Sequence, residues 1–173
     1  MNVDIKAELQ SEHGRFIIGF ALAVLVLYST YYVLRDELSV IRMGTAAILG
    51  FLLPLIGMET SVAGEIVTTC GLSLKIIDEC TAVFSIIVYA SAIIAYPTSI
   101  RNKVIGFFPG ILILYTLDII RLIVLAIVGV NFPGAFEFVH VYLWQTTFII
   151  FVVITFLIWL RVVVGREENV GQR

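Results

Sequence analysis

Between residues 104 and 130 only two charged side chains appear, Asp118 and Arg121. A helix needs roughly 20 apolar residues, with a range of about 17–25, to cross the hydrocarbon core of a bilayer. The run is long enough to cross with residues to spare, and this requirement constrains everything around it. Composition agrees. The chain of 173 residues is 60% hydrophobic and 14% charged, whereas soluble domains are roughly 45–50% apolar and about 25% charged. Net charge is −2 with no basic tract, which argues against nucleic acid as a partner, since phosphate binding needs clustered Lys and Arg.

Four further stretches read as spans: 16–34, 43–58 (interrupted by Pro54), 81–97 and 141–160. The first is too long for the core of a signal peptide and follows acids rather than a basic cluster, so it is expected to stay in the mature protein. Short loops with turn chemistry, "YPTSIRNK" and "NFPG", separate the later spans. Residues 59–79 are more polar. Their β-branched runs 66–69 and 72–77 flank Cys70-Gly71 and predict a small hairpin at the membrane face. The expected fold is an all-α integral membrane protein, a bundle of about five transmembrane helices with a small extracytoplasmic β-hairpin-like segment.

Lys and Arg in short loops mark the cytoplasmic side. Loop 35–42, loop 97–103 and the tail hold Arg35, Arg42, Arg101, Lys103, Arg161, Arg166 and Arg173. The other side holds Lys6, Arg15 and Lys75. The expected organisation is an extracytoplasmic N-terminal segment (1–15), two transmembrane helices (16–58), an extracytoplasmic hairpin or loop (59–79), a catalytic core of three transmembrane helices (80–160) and a cytoplasmic tail (161–173). The protein is expected in the plasma membrane, multi-pass, with its site facing outward.

An ionisable residue inside a span is a functional hypothesis by default. Arg121 lies 17 residues after Val104, or ~26 Å along a helix with a rise of about 1.5 Å per residue. That is close to the outer boundary of a core roughly 30 Å thick. Cys80 enters its span from the same boundary, and His140 opens another there. Three helices thus deliver a thiol, a guanidinium and an imidazole to one level. A thiol becomes a nucleophile when a base or a cation lowers its pKa. Imidazole can take its proton and return it to a leaving amine, and a fixed cation can stabilise the oxyanion. Asp78 and Glu79 work against a thiolate at Cys80, so a nearby cation is needed all the more.

Other readings of the same residues stay open. Cys80 is compatible with simple packing or with a Cys70–Cys80 disulfide. Arg121 can neutralise Asp118 one turn away, and His140 can belong to an aromatic belt with Tyr142 and Trp144. A metal site from Cys80, His140 and Asp118 would face repulsion from Arg121. A non-enzymatic transporter or assembly factor draws on Pro54 and the Gly106/Pro109/Gly110 cluster, although no inverted repeat is visible.

The segments "DECTAVFS", "LDIIRLIVL" and "FEFVHVYLWQ" resemble the exosortase/archaeosortase family, most closely its short forms, over roughly residues 65–161. The family's Cys-[Ser/Thr/Asn]-[Gly/Ala] motif corresponds to Cys80, Thr81 and Ala82, its Asn-x-x-Arg to Asp118 and Arg121, and its histidine at the start of the last span to His140. The resemblance implies a membrane-embedded cysteine protease or transpeptidase. Such an enzyme cleaves a C-terminal sorting signal (a short motif, a transmembrane helix and a basic tail) on exported proteins. It then transfers the new C-terminus to a lipid or other acceptor. Cys80 would carry the acyl group, His140 would act as general acid and base, and Arg121 would stabilise the intermediate. Asp118 and Thr81 would support them. Asp78, Glu79, Trp144 and Gln145 are candidates for substrate contact, and no cofactor or metal is implied. Asp118 departs from the family's usual Asn, and family members often carry additional N-terminal spans.

Overall fold

In a computed structural model, residues 12–165 are described. The expected N-terminal segment up to residue 11 and the tail from residue 166 lie outside them, as do the side chains of Glu12, Leu143, Trp144 and Gln145. The chain forms α1 (Glu12–Leu34), α2 (Ser39–Leu55), β1 (Thr60–Ala63), β2 (Ile66–Thr69) and β3 (Leu72–Lys75). A 3-10 turn (Asp78–Cys80) then leads into α3 (Val83–Ala95), α4 (Ile100–Asn131) and, after a second 3-10 turn (Pro133–Ala135), α5 (Phe136–Trp159). A π-helical turn, Leu160–Val164, prolongs α5.

Among the described residues three helical stretches are long and apolar enough to cross a membrane: His13–Leu34, Ile100–Asn131 and Thr146–Val164. These coincide with three of the expected spans. The other two apolar helices, α2 and α3, are shorter, with 17 and 13 residues. The molecule is an all-α membrane protein with a small β segment.

That segment is larger than the expected hairpin. It is a three-stranded antiparallel meander in the order β1-β2-β3, with Thr60 opposite Thr69 and Thr69 opposite Leu72. The β2–β3 turn is Cys70-Gly71, and both residues have positive φ, 46° and 84°. That is the pattern of a type I′ hairpin turn. β1, "TSVA", escaped the sequence reading because it is short, half polar and without an aromatic residue.

Helices α1, α3, α4 and α5 run antiparallel in turn, and side-chain contacts fix their levels. At one end Phe16 meets Tyr96 and Tyr96 meets Trp159. At the other, Tyr28 and Tyr31 meet Phe84. Near the first end, Trp159 Nε1 donates to the Asn102 carbonyl at 2.9 Å and the Tyr89 hydroxyl to the Gly106 carbonyl at 3.0 Å. A Cβ at Gly106 would run into the Trp159 ring, and one at Gly110 into Tyr89. The glycines that lent support to a transporter therefore have a packing reason: they let α3 and α5 approach α4.

The second end carries α2 and the sheet. Ala46, Leu49, Leu53, Met58, Val67 and Ile76 form a buried cluster with Leu122 and Ala126 of α4 and with Cys80. Arg42, at the start of α2, bonds through Nε to Glu65 Oε1 at 2.7 Å and through Nη1 to Asp78 Oδ1 at 2.6 Å. The sequence reading set loop 35–42 and residues 59–80 on opposite faces. This contact sets them at one end. α2 does not return the chain to that end from another; it stands beside the upper half of α4, with Thr45 Oγ1 at 3.4 Å from the Tyr115 hydroxyl.

Candidate active site

Cys80 ends the first 3-10 turn instead of beginning a helix, and the turn is closed by its own backbone. The Cys80 N–H donates to the Ile77 carbonyl at 2.9 Å and the Thr81 N–H to the Asp78 carbonyl at 3.1 Å. The Thr81 hydroxyl donates to that same Asp78 carbonyl at 2.7 Å. Thr81, matched to the motif on sequence grounds, thus locks the turn that presents the thiol. Cys80 itself is 6% exposed. Burial pushes its thiol pKa up, while a backbone hydrogen bond from Ile77 and the charge of Arg121 pull it down. The charges of Asp118 and Glu79 add to the rise.

Arg121 follows Asp118 on α4, next in sequence to Leu122 of the shared cluster, and its charge reaches the Cys80 thiol. Its Nη2 lies 3.2 Å from Asp118 Oδ1, and both side chains are buried. Asp118 Oδ2 is also buried and has no hydrogen-bond partner among the described residues. One guanidinium therefore pairs with a carboxylate on its own helix and acts by its charge on the thiol of the Cys80 turn.

His140 lies in the first turns of α5, half-buried, with its ring stacked on Phe136 at a centroid distance of 5.8 Å and an interplanar angle of 4°. Its height follows from the pairing of α4 and α5. His140 precedes Trp159 by as many residues as Arg121 follows Asn102, nineteen in each case, and Trp159 and Asn102 touch. At the other end Gly129 abuts Phe136, and counting four residues along each helix brings His140 to the level of Leu125. Both contacts place His140 within about one helical turn of the level of Arg121. No hydrogen bond joins His140 to Cys80 or Arg121 among the described residues.

The family model for transmembrane exosortases matches residues 12–161. The chain belongs to the transmembrane exosortase family. The match reaches well beyond the stretch that carried the resemblance and takes in α1, α2 and the sheet. No curated protein and no solved structure matches the chain. As an exosortase-family protein it is a membrane-embedded member of a family of sorting enzymes.

The remaining site candidates divide by position. Asp78 is engaged by Arg42, an arginine the sequence reading counted only as a loop charge. Glu79 is exposed and borders a groove of about 350 Å³ that Tyr28, Phe84, Ile87, Val88 and Phe148 also line. The side chains of Trp144 and Gln145 lie outside the described residues. Cys70 and Cys80 are both free thiols, one exposed and one buried, so no disulfide blocks the candidate nucleophile. Among the described residues no group of three or more His, Cys, Asp or Glu side chains comes together to hold a metal ion.

Proposed function

We propose that this exosortase-family chain is a cysteine transpeptidase that cleaves the C-terminal sorting signal of exported proteins and passes the new C-terminus to a lipid or another acceptor. The observation that carries the reading is the Cys80 turn packed against the Arg121 face of α4, with His140 at a matching height on α5. Cys80 attacks the scissile carbonyl and its sulfur–carbon bond replaces the carbon–nitrogen bond. His140 takes the thiol proton and gives it to the departing amine, and Arg121 holds the oxyanion. The acceptor's nucleophile then displaces Cys80 and regenerates the thiol. The groove beside Glu79 gives an apolar substrate helix lateral access to the turn.

The contacts also favour a revised topology. α1, α3, α4 and α5 cross the membrane, while α2 and the sheet stay at the Cys80 end. Arg15, Arg101, Lys103 and Arg161 then flank one face, and Lys6, Arg166 and Arg173 continue from it in sequence. Arg35, Arg42 and Lys75 flank the other. By the positive-inside rule the site faces out and the N-terminal segment joins the tail in the cytoplasm, the reverse of the expectation for residues 1–15.

The test is co-expression with an exported protein bearing a C-terminal motif, helix and basic tail. Cys80→Ala abolishes processing if the proposal holds; processing at the parent rate rejects it.

A further inference from the structure

Arg42 lies outside the motifs that carry the resemblance, yet it is the most connected cation among the described residues. Its Nη1 donates to Asp78 Oδ1 at 2.6 Å and to the Arg35 carbonyl at 3.3 Å, and its Nε to Glu65 Oε1 at 2.7 Å. One planar group therefore ties together the chain after α1, the start of α2, the β1–β2 turn and the first residue of the turn that ends in Cys80. Tyr31 of α1 stands beside the same Asp78 carboxylate and interacts with it. The side chains of Arg42, Glu65 and Asp78 are only 17%, 26% and 21% exposed, so water screens these bonds less than it would on an open surface. An arginine fork holds two carboxylates in fixed directions, which a lysine cannot.

The Cys80 turn needs such an anchor. Its internal bonds, from Cys80 to Ile77 and from Thr81 to Asp78, fix its shape without fixing its position relative to α4. Cys80 shares a buried apolar cluster with Leu122 and Ala126, and apolar contact is non-directional. The Asp78 carboxylate is the handle by which the turn is held. We propose that Arg42 is a positioning residue for Cys80: it clamps the thiol-bearing turn to α2 and the sheet and so sets the distance from the sulfur to Arg121. The inference rests on Cys80 being the nucleophile. It also gives Asp78 a task that explains an acid so close to a thiol, because its charge is spent on Arg42.

The experiment uses the full chain in membranes with Cys70→Ser, so that only Cys80 reports in alkylation. Arg42→Gln frees the turn. Cys80 alkylation by a small maleimide accelerates about tenfold, and processing per folded molecule falls by roughly 10²-fold in kcat, the scale of a 1 Å misplacement, with KM little changed. Arg42→Lys, which can bridge only in part, falls between. Asp78→Ala, which leaves Arg42 no acceptor on the turn, moves both readouts the same way, and the double variant is no worse than Arg42→Gln alone, since both break one interaction. A purely structural role lowers the amount of folded protein and leaves alkylation and kcat per folded molecule unchanged. Alkylation within twofold of the parent in folded Arg42→Gln, or effects that multiply in the double variant, overturns the clamp. If Arg42→Gln does not fold, Asp78→Ala, which keeps Arg42 on Glu65, decides by the same readouts. Processing that survives Cys80→Ala removes the nucleophile reading instead, and alkylation then still decides whether Arg42 holds the turn.

Discussion

Arg121 and Asp118 form a buried ion pair at 3.2 Å across one helical turn, and the second oxygen of Asp118 is left without a hydrogen bond among the described residues. The pair neutralises two charges that would otherwise be costly beside a membrane, yet it is incompletely satisfied. Removing one partner strands the other. Arg121→Ala is expected to destabilise the protein by about 3–5 kcal/mol, the usual scale for an orphaned buried charge. Asp118→Asn, which can still accept from Arg121, costs about 1–3 kcal/mol at most. Unfolding in detergent measures both.

The same pair bears on activity. Asp118 offsets the Arg121 charge that pulls the Cys80 thiol pKa down. Asp118→Asn restores the family's usual motif and frees that charge, so processing is expected at or above the parent rate. A tenfold loss would show that the carboxylate has a task of its own.

The Cys80 thiol is raised above the ordinary range, chiefly by burial, and an ordinary thiol titrates near pH 8.5. A raised pKa means less thiolate at any lower pH. Alkylation of Cys80 in a Cys70→Ser background should therefore climb about tenfold per pH unit and continue to climb above pH 8.5, where a small free thiol levels off. Arg121→Gln combined with Asp118→Asn removes the cation that favours thiolate and should move the profile higher still. A plateau below pH 8.5 in the parent would contradict the burial seen here.

Glycine positions give a stability test that leaves the site alone. Alanine at Gly106 meets the Trp159 ring and at Gly110 meets Tyr89, so each is expected to cost about 1–3 kcal/mol through forced repacking. Gly44, in α2, has open space where a Cβ would go. Gly44→Ala should stabilise by up to about 1 kcal/mol through helix propensity.

The topology proposed above would put Cys70, which is exposed, on the outer face. In a Cys80→Ala background an impermeant maleimide added to intact cells should label it fully, and reporter fusions at both chain termini should respond as cytoplasmic. Termini on opposite faces would return α2 to the role of a span.

Much of this was legible beforehand because membrane-crossing runs are a coarse, strong signal. The bounds 16–34 and 104–130 fall within a few residues of α1 and α4, and "IVTTCGLSLK" announced its turn through Cys70-Gly71. The heights of Arg121 and His140 along their helices were also accessible, since helix rise converts sequence distance into length. α2 is where the proposed topology departs from the expected one, and the reason is physical. Its apolar residues look alike whether they face lipid or a sheet, and only the packing of Leu49 and Leu53 under Val67 tells the two apart. Arg42 was invisible for the same reason: its partners Glu65 and Asp78 are 23 and 36 residues away, and no local spacing reports such a meeting.

The contact between Trp159 and Asn102 has a consequence for how the chain can vary. It pins α4 and α5 at one end, and nineteen residues on each arm carry Arg121 and His140 to a common height at the other. A residue inserted into one arm moves its tip by about 1.5 Å and turns it by about 100°. An insertion between Asn102 and Arg121 therefore swings the guanidinium away from the thiol even though every side chain is kept. The separation of these residues along the helices is thus as much a part of the site as their identity, and single-residue length changes should be tolerated in the loops long before they are tolerated in either arm.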